Sequence, residues 1–164
     1  GTLEDIFARD GIIWLFDGVE YAPNLGFGVR TAEVSGATAV IINVKKTHEE
    51  RRTIRRAGMR ATRFIPVVYA TTEEILSKCN RKIVVAEDVG NKAPWETDLT
   101  GNLLIVVGAE NAGVSREVLG AASEIVRLPM PGFIPSYNLQ VAVSALAIER
   151  LRQIEIVTQN DNPS

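Results

Sequence analysis

Apolar residues in this sequence fall into six short runs, separated by longer segments with helical periodicity. The runs are rich in β-branched and large aliphatic side chains, which is typical of strands buried on both faces. They cover residues 12–16, 38–42, 66–69, 83–86, 103–107 and 124–127. Helices are predicted between and after them, at residues 23–35, 47–57, 71–78, 115–121 and 138–154. This alternation predicts an α/β fold with a mostly parallel six-stranded sheet and helices on both of its faces.

The last predicted helix carries more apolar residues than one packing face can bury. They spread around nearly its whole circumference: Val141, Ala142, Val143, Ala145, Leu146, Ala147, Ile148 and Leu151. Something must cover the side that faces away from the sheet, and a second subunit is the simplest candidate.

The loop after the fifth run stands where α/β proteins bind their ligands, beyond the carboxyl end of a buried strand. Gly108, Glu110 and Gly113 form Gly-x-Glu-x-x-Gly, a turn with two residues free to take positive φ. The carboxylate would repel a pyrophosphate but suits a ligand with hydroxyls or a positive charge. The dinucleotide fingerprint Gly-x-Gly-x-x-Gly does not occur in the sequence.

A second loop, residues 128–138, follows the sixth run and leads into the last helix. Its three prolines make it stiff. Ser136 and Asn138 offer short hydrogen-bonding groups where a helix N-terminus presents free N–H groups, although Asn138 also suits a simple helix cap.

Asn24 and Arg30 stand out in the first long helix. Asn24 can serve as its N-cap, and Arg30 as a surface ion-pair partner. An arginine in so apolar and small-residue a helix is nevertheless expensive unless it binds an anion.

Composition excludes several classes of protein. The 164 residues are 46% hydrophobic and 23% charged, as in an ordinary globular domain, and no run is long enough for a membrane span. A single cysteine, Cys79, rules out an internal disulfide framework and fits a reducing cytoplasm. A single histidine, His48, in a charged segment argues against a zinc site and a serine–histidine hydrolase.

The net charge of −2 conceals a basic segment. Between Lys45 and Arg63 there are eight basic residues against Glu49 and Glu50, a local excess of six positive charges. Such a segment on an acidic body indicates a polyanion contact, with a solvated helix face as the alternative.

Three motifs in order resemble those of the SpoU-like, knotted (SPOUT-class, TrmH-type) RNA 2′-O-ribose methyltransferases. The motif Asn-x-Gly-x-x-x-Arg-Thr-Ala is matched by Asn24, Gly26, Arg30, Thr31 and Ala32. The motif Val-x-Gly-x-Glu-x-x-Gly is matched by Val106, Gly108, Glu110 and Gly113. The motif Ile-Pro-Met…Ser-Leu-Asn is matched by Pro129, Met130, Ser136 and Asn138. The resemblance spans roughly residues 12–152.

This resemblance implies a C-terminal deep trefoil knot, a homodimer through the C-terminal helix, and S-adenosylmethionine as cofactor without a metal, leaving S-adenosylhomocysteine. Cofactor contacts are implied for Val107, Gly108, Ala109, Leu128, Met130, Tyr137 and Asn138. Catalytic roles are implied for Arg30, Asn24, Glu110, Ser136 and Asn138. The ribose target brings phosphates with it, so RNA contacts are expected at Arg51, Arg52, Arg55, Arg56 and Arg30.

The implied reaction is in-line transfer of a methyl group from a sulfonium to a ribose hydroxyl of structured RNA, with rRNA ahead of tRNA. A guanidinium with a pKa above about 12 is a poor base. We therefore interpret Arg30 as an anion clamp that polarises the hydroxyl, with a role as base as the alternative. A knotted enzyme that methylates a base and a non-catalytic RNA-binding module remain rival interpretations, and a flavodoxin-like domain for another nucleotide is disfavoured by Glu110.

The sequence departs from the family pattern at a few positions, which bear on the identity of the substrate and on the cofactor pocket. Tyr137 replaces a usual leucine, Gln140 a small or β-branched residue, and Tyr21 and Ala22 lack the usual polar groups. We expect residues 1–10 to be the remnant of a linker to a preceding RNA-binding domain. The methyltransferase domain is expected at 11–157, and residues 158–164 are expected to form a disordered tail.

Overall fold

Six parallel strands form one sheet in the computed structural model, which describes residues 2–109, 112–134 and 136–161. The strands are β1 (Ile12–Asp17), β2 (Ala39–Asn43), β3 (Val67–Tyr69), β4 (Lys82–Ala86), β5 (Leu103–Gly108) and β6 (Glu124–Val126). The helices are α1 (Leu3–Phe7), α2 (Ala22–Val34), α3 (His48–Ala57), α4 (Thr72–Lys78), α5 (Arg116–Ala121) and α6 (Leu139–Asp161). Short 3₁₀ turns lie at Ala61–Arg63 and Pro94–Glu96. The predicted six-stranded α/β fold is confirmed, and every strand pair is parallel.

The sheet has the order β3-β2-β1-β5-β4-β6. Strand β1 lies between β2 and β5, and all six of its residues are buried. Its last residue, Asp17, pairs with Asn43 of β2 and with Gly108 of β5. Asp17, Asn43 and Gly108 therefore meet at the carboxyl edge of the sheet.

Helices cover both faces of the sheet because alternate strand residues point to opposite sides. On one face Trp14 and Phe16 pack in a cluster with buried residues of α2, α3 and α6. On the other face Ile13 and Leu15 pack with residues of α1, α4 and α5. The sheet is thus the middle layer of three.

Two helices begin where the sequence predicts them, at capping boxes. The Thr47 hydroxyl accepts the Glu50 backbone N–H at 3.1 Å, and the Glu50 carboxylate accepts the Thr47 N–H at 3.1 Å. Thr71 and Glu74 make the same reciprocal pair at the start of α4. Each pair satisfies N–H groups that have no partner inside the helix.

Helix α2 begins earlier than predicted. It starts at Ala22, with extended Tyr21 at the N-cap position and no side-chain cap there. Pro23 lies in the first turn, where its fixed φ is compatible with a helix and its missing N–H is not needed. The interpretation of Asn24 as the N-cap is therefore wrong, and Asn24 lies within the first turn.

The N-terminal residues pack as part of the domain. Helix α1 lies in the segment expected to be a linker remnant, and a capping box between Thr2 and Asp5 begins it. Ile6 and Phe7 are buried in the second core cluster. The five residues of α1 are too few to show a helical period in the sequence.

Helix α6 extends to Asp161, past the predicted end near residue 154, so residues 158–161 of the expected tail lie within it. Its inner side buries Leu139, Val143 and Leu146, while Ile148 is 63% exposed and Leu151 is 41% exposed. The described side chains therefore include an apolar surface that faces away from the sheet. The trefoil knot stays a prediction.

Among the described residues, no helix combines the length and the apolar character that crossing a membrane requires.

Candidate functional site

A cavity of about 180 Å³ opens at the carboxyl edge of the sheet, beside the ends of β4 and β5. Segments after three strands contribute to its wall. The lining residues are Ala86, Glu87, Asp88, Val107, Gly108, Ala109, Ala112, Gly113, Leu128, Met130, Ser136, Tyr137 and Ala142. Both loops that the sequence analysis singled out thus meet at one site.

The turn after β5 is tight because two glycines approach each other. The Gly113 N–H donates to the Ala109 carbonyl at 2.9 Å, and Gly113 has a φ of +68°. A Cβ built on Gly108 would lie 2.4 Å from the Gly113 carbonyl carbon, so only glycine fits at that end of the strand. Glu110 and Asn111 lie outside the described residues, and the predicted role of Glu110 stays a prediction.

The loop before α6 forms the opposite wall of the cavity. Leu128, Met130, Ser136 and Tyr137 line it, and the Tyr137 hydroxyl donates to the Pro129 carbonyl. Tyr137 therefore links the two ends of its own loop, which a leucine at this position could not do.

Glu87 and Asp88 are lining residues that sequence reasoning missed. Burial raises the pKa of the Glu87 carboxyl, and a hydrogen bond from the Val114 backbone N–H opposes that shift. Glu87 also lies against Gly113, since a Cβ there would come 2.2 Å from a Glu87 carboxylate oxygen. Both carboxylates could have been predicted as site residues because they directly follow β4, at the sheet edge where α/β proteins bind ligands.

Asp17 connects the neighbouring strand ends. It is only 3% exposed, and its carboxylate accepts the Asn43 side-chain amide at 2.7 Å and the Ser115 backbone N–H at 2.8 Å. The segment that leads from the cavity into α5 is thereby fixed to β1 and β2.

Of the predicted catalytic residues that the structure describes, Ser136 lines the cavity. Asn24, Arg30 and Asn138 do not line the cavity of their own chain. The Arg30 guanidinium donates to the Met59 thioether, with an Nη1–Sδ distance of 2.8 Å. Asn138 instead begins α6, where its carbonyl accepts the N–H groups of the next turn.

The four predicted RNA-contacting arginines of α3 divide into two groups. Arg52, Arg55 and Arg56 are exposed on α3. Arg51 turns inward, with its guanidinium carbon 4.0 Å from the centroid of the Tyr69 ring, a cation–π arrangement.

The cavity is acidic and contains no basic side chain among the described lining residues. Glu87 and Asp88 disfavour a phosphorylated ligand, whereas the small and apolar residues around Gly108 suit a ligand with an apolar ring and a positive centre. Among the described residues, no three His, Cys, Asp or Glu side chains are grouped so as to hold a metal ion.

The fold and the cavity define an open parallel α/β protein whose cavity lies beyond the carboxyl ends of the strands, where proteins of this class bind their ligands. Residues 11–148 match the sequence model of the SpoU rRNA Methylase family, and the chain belongs to that family. The resemblance drawn from the three motifs is confirmed.

Named relatives and solved structures agree with this placement. The chain is 33% identical over 161 residues to the 23S rRNA (guanosine-2′-O-)-methyltransferase RlmB of Pseudomonas putida, covering 94% of this chain and 65% of that protein. It is 34% identical to RlmB of Pseudomonas aeruginosa, covering 92% and 64%. An AdoMet-bound rRNA methyltransferase from Sinorhizobium meliloti superposes with a TM-score of 0.85 and 26% identity, covering 94% of this chain and 61% of that one. The chain thus spans less than two thirds of each of these proteins.

Proposed function

We propose that this chain is the catalytic domain of an S-adenosylmethionine-dependent methyltransferase that modifies a ribose 2′-hydroxyl of structured RNA, with rRNA ahead of tRNA. The observation that carries the proposal is the acidic, glycine-walled cavity at the carboxyl edge of a SpoU-family sheet. The names of the RlmB relatives and the AdoMet-bound structure from Sinorhizobium meliloti support the reaction and the cofactor.

The residues present fit that cofactor. The close approach of Gly108 and Gly113 leaves backbone rather than side chain at the cavity wall, and Leu128, Met130 and Tyr137 supply apolar surface for an adenine. The carboxylates of Glu87 and Asp88 suit the positive charges of a sulfonium and an amino group. Val107, Ala109 and Asn138 complete the proposed cofactor-binding set.

S-adenosylmethionine would supply a methyl group on a sulfonium, which is already activated for transfer. The protein must then hold the ribose hydroxyl in line and ease its proton away. We assign Arg30 as the clamp that polarises the hydroxyl or holds the adjacent phosphate, because a guanidinium stays charged at neutral pH. Ser136 faces the cavity, and Asn24, Glu110 and Asn138 are proposed to complete the site.

Arg30 does not line the cavity of its own chain, and a homodimer through α6 would bring Arg30 of a second chain to that cavity. Ile148 and Leu151 leave an apolar face of α6 exposed, and burying it against a second copy would remove that area from water. We propose that Arg30 of one subunit serves the cavity of the other. A cytoplasmic setting is proposed from the single cysteine alone.

The first test is isothermal titration with S-adenosylmethionine and S-adenosylhomocysteine, followed by transfer of labelled methyl to bacterial 23S rRNA and to tRNA. We expect one site per chain and a product that resists alkaline cleavage at the modified nucleotide. Alkali-sensitive product would instead indicate base methylation, and absence of binding would favour a non-catalytic RNA-binding module.

A mixing experiment tests the shared site. Arg30→Ala and Gly108→Ala should each be inactive, the first with normal cofactor binding and the second without it. If Arg30 acts across the interface, mixed dimers regain one intact site, and random pairing returns about a quarter of wild-type activity. Mixtures that stay inactive while forming mixed dimers would contradict the shared arrangement.

A further inference from the structure

A hollow of about 270 Å³ lies on the helical face formed by α3 and the 3₁₀ turn that follows it. We call it the arginine hollow. Its lining residues are Arg52, Arg55, Arg56, Arg60, Thr62 and Arg63. It overlaps the predicted RNA-contacting set only in part, since Arg30 and Arg51 are absent and Arg60 and Arg63 are added.

The arginine hollow concentrates positive charge without compensation. All five arginines are exposed, no carboxylate lines the hollow, and none of the five forms an ion pair with a carboxylate of the described residues. Glu50, at the other end of α3, bonds with Lys46 and Thr47 instead. A guanidinium group keeps its proton and its charge at physiological pH, so a cluster of five favours a bound anion.

The helix dipole explains only part of the cluster. Arg55 and Arg56 lie in the last turn of α3, where cations are favourable. Arg60 and Arg63 lie beyond the helix end, so that explanation does not cover them.

The backbone at Arg60 points to a role for its side chain. Met59 and Arg60 have φ angles of 51° and 69°, the left-handed region that favours glycine. Arg60 is exposed, so packing does not explain an arginine at this position. A glycine would relieve the backbone strain, and contact of the arginine side chain with a ligand would offset it.

The surroundings favour RNA as that ligand. Guanidinium groups match phosphate oxygens in paired hydrogen bonds. Phe64, directly after Arg63, is 77% exposed, and an exposed ring beside arginines suits the stacking of an unpaired base. Met59, next to Arg60, also accepts a hydrogen bond from Arg30, so the proposed catalytic arginine contacts the turn that carries Arg60.

We propose that the arginine hollow binds phosphodiester groups of an unpaired segment of the substrate RNA, with a base stacked on Phe64. The proposal rests on the proposed function, because it takes the anion to be part of the RNA whose ribose reaches Arg30. It adds Arg60, Arg63 and Phe64 to the RNA-binding residues and sets Arg51 apart from them.

Arg60→Gly tests the proposal because it removes the charge while relieving the backbone. We expect its thermal midpoint to equal or exceed that of the wild type and its S-adenosylmethionine binding to be unchanged. Its affinity for poly(U) and for 23S rRNA fragments should fall several-fold, and the slope of log affinity against log salt should shrink by about 0.7, one single-stranded phosphate contact. Arg63→Gln, at the exposed end of the 3₁₀ turn, should repeat this result.

Arg9→Gln is the matched control, since Arg9 is exposed and follows α1 on the opposite face of the sheet. It should retain both RNA affinity and salt slope. The proposal is overturned if the wild type binds neither RNA, if Arg60→Gly matches Arg9→Gln, or if polyaspartate competes as well as poly(U). Failure of the proposed function would appear separately, as a wild-type chain that binds RNA but not S-adenosylmethionine.

Discussion

Gly108→Ala is the substitution whose effect the structure defines most sharply. A Cβ on Gly108 would lie 2.4 Å from the Gly113 carbonyl carbon, 2.5 Å from its oxygen and 2.6 Å from the Val114 nitrogen. All three are backbone atoms of a turn that is closed by the hydrogen bond from Gly113 to Ala109. No side-chain rotation can relieve these contacts, so the turn itself must move.

The magnitude follows from overpacking. Forcing a group into a well-packed region costs about 1–3 kcal/mol of folding free energy. In a domain of this size that corresponds to a thermal midpoint lower by about 2–12 °C. Since the turn is a cavity wall, the affinity for S-adenosylmethionine should fall by at least about tenfold, the equivalent of about 1.4 kcal/mol. Differential scanning fluorimetry and isothermal titration measure the two effects.

Gly120→Ala provides the matched control. A Cβ on Gly120 meets nothing within 4 Å, and the residue lies inside α5, where alanine is favoured over glycine by up to about 1 kcal/mol. This variant should bind the cofactor normally and melt at the same or a higher temperature. If Gly108→Ala is indistinguishable from Gly120→Ala in both measurements, the steric account of the turn is refuted.

Two further variants change carboxylates at the carboxyl edge of the sheet, the half-buried Glu87 and the buried Asp17. The folded-state pKa of Glu87 is raised, so its ionisation removes stability as the pH rises above the ordinary value of 4.5; Glu87→Gln should therefore be more stable than wild type at neutral pH and equal to it in acid, as a pH series of unfolding curves would show. The same variant should weaken binding of S-adenosylmethionine more than of S-adenosylhomocysteine, which keeps the amino group but has a neutral sulfur, and equal weakening would exclude a contact with the sulfonium charge. Asp17→Asn should leave one of two half-buried N–H donors without an acceptor, lowering stability by about 1–3 kcal/mol, and an unchanged thermal midpoint would contradict the bridging role.

Local signals in the sequence predict those features of the structure that depend on residues close together in the chain. The run before Gly108 is apolar at every position because β5 is covered on both faces. Thr47 and Thr71 mark helix starts because each is followed three residues later by a glutamate that completes a capping box. These features could be predicted with little knowledge of the fold.

Most features of the site that could not be predicted depend on contacts between residues that are distant in sequence. Glu87 reaches the cavity only because β5 inserts between β1 and β4, an order that the succession of strands does not determine. The contact between Arg30 and Met59 needs a left-handed turn that an arginine at position 60 argues against. The prediction of Asn24 as the N-cap fails because asparagine strongly favours that position, whereas here the first turn of α2 already contains Pro23.

Asp17 shows how the fold makes the candidate site depend on both halves of the sheet. The chain leaves β1 toward β2 and leaves β5 in the opposite direction, toward β6, so a crevice opens between the two strand ends. The Asp17 carboxylate spans this crevice by accepting Asn43 from one side and Ser115 from the other. The cavity loop is therefore held against the strand that leads directly into α2, the helix of Arg30. In the proposed homodimer, such a connection would make the cofactor pocket and α2 of each subunit one rigid unit. The interface would then set the position of Arg30 of one subunit against the cavity of the other, as in-line transfer between two bound molecules requires.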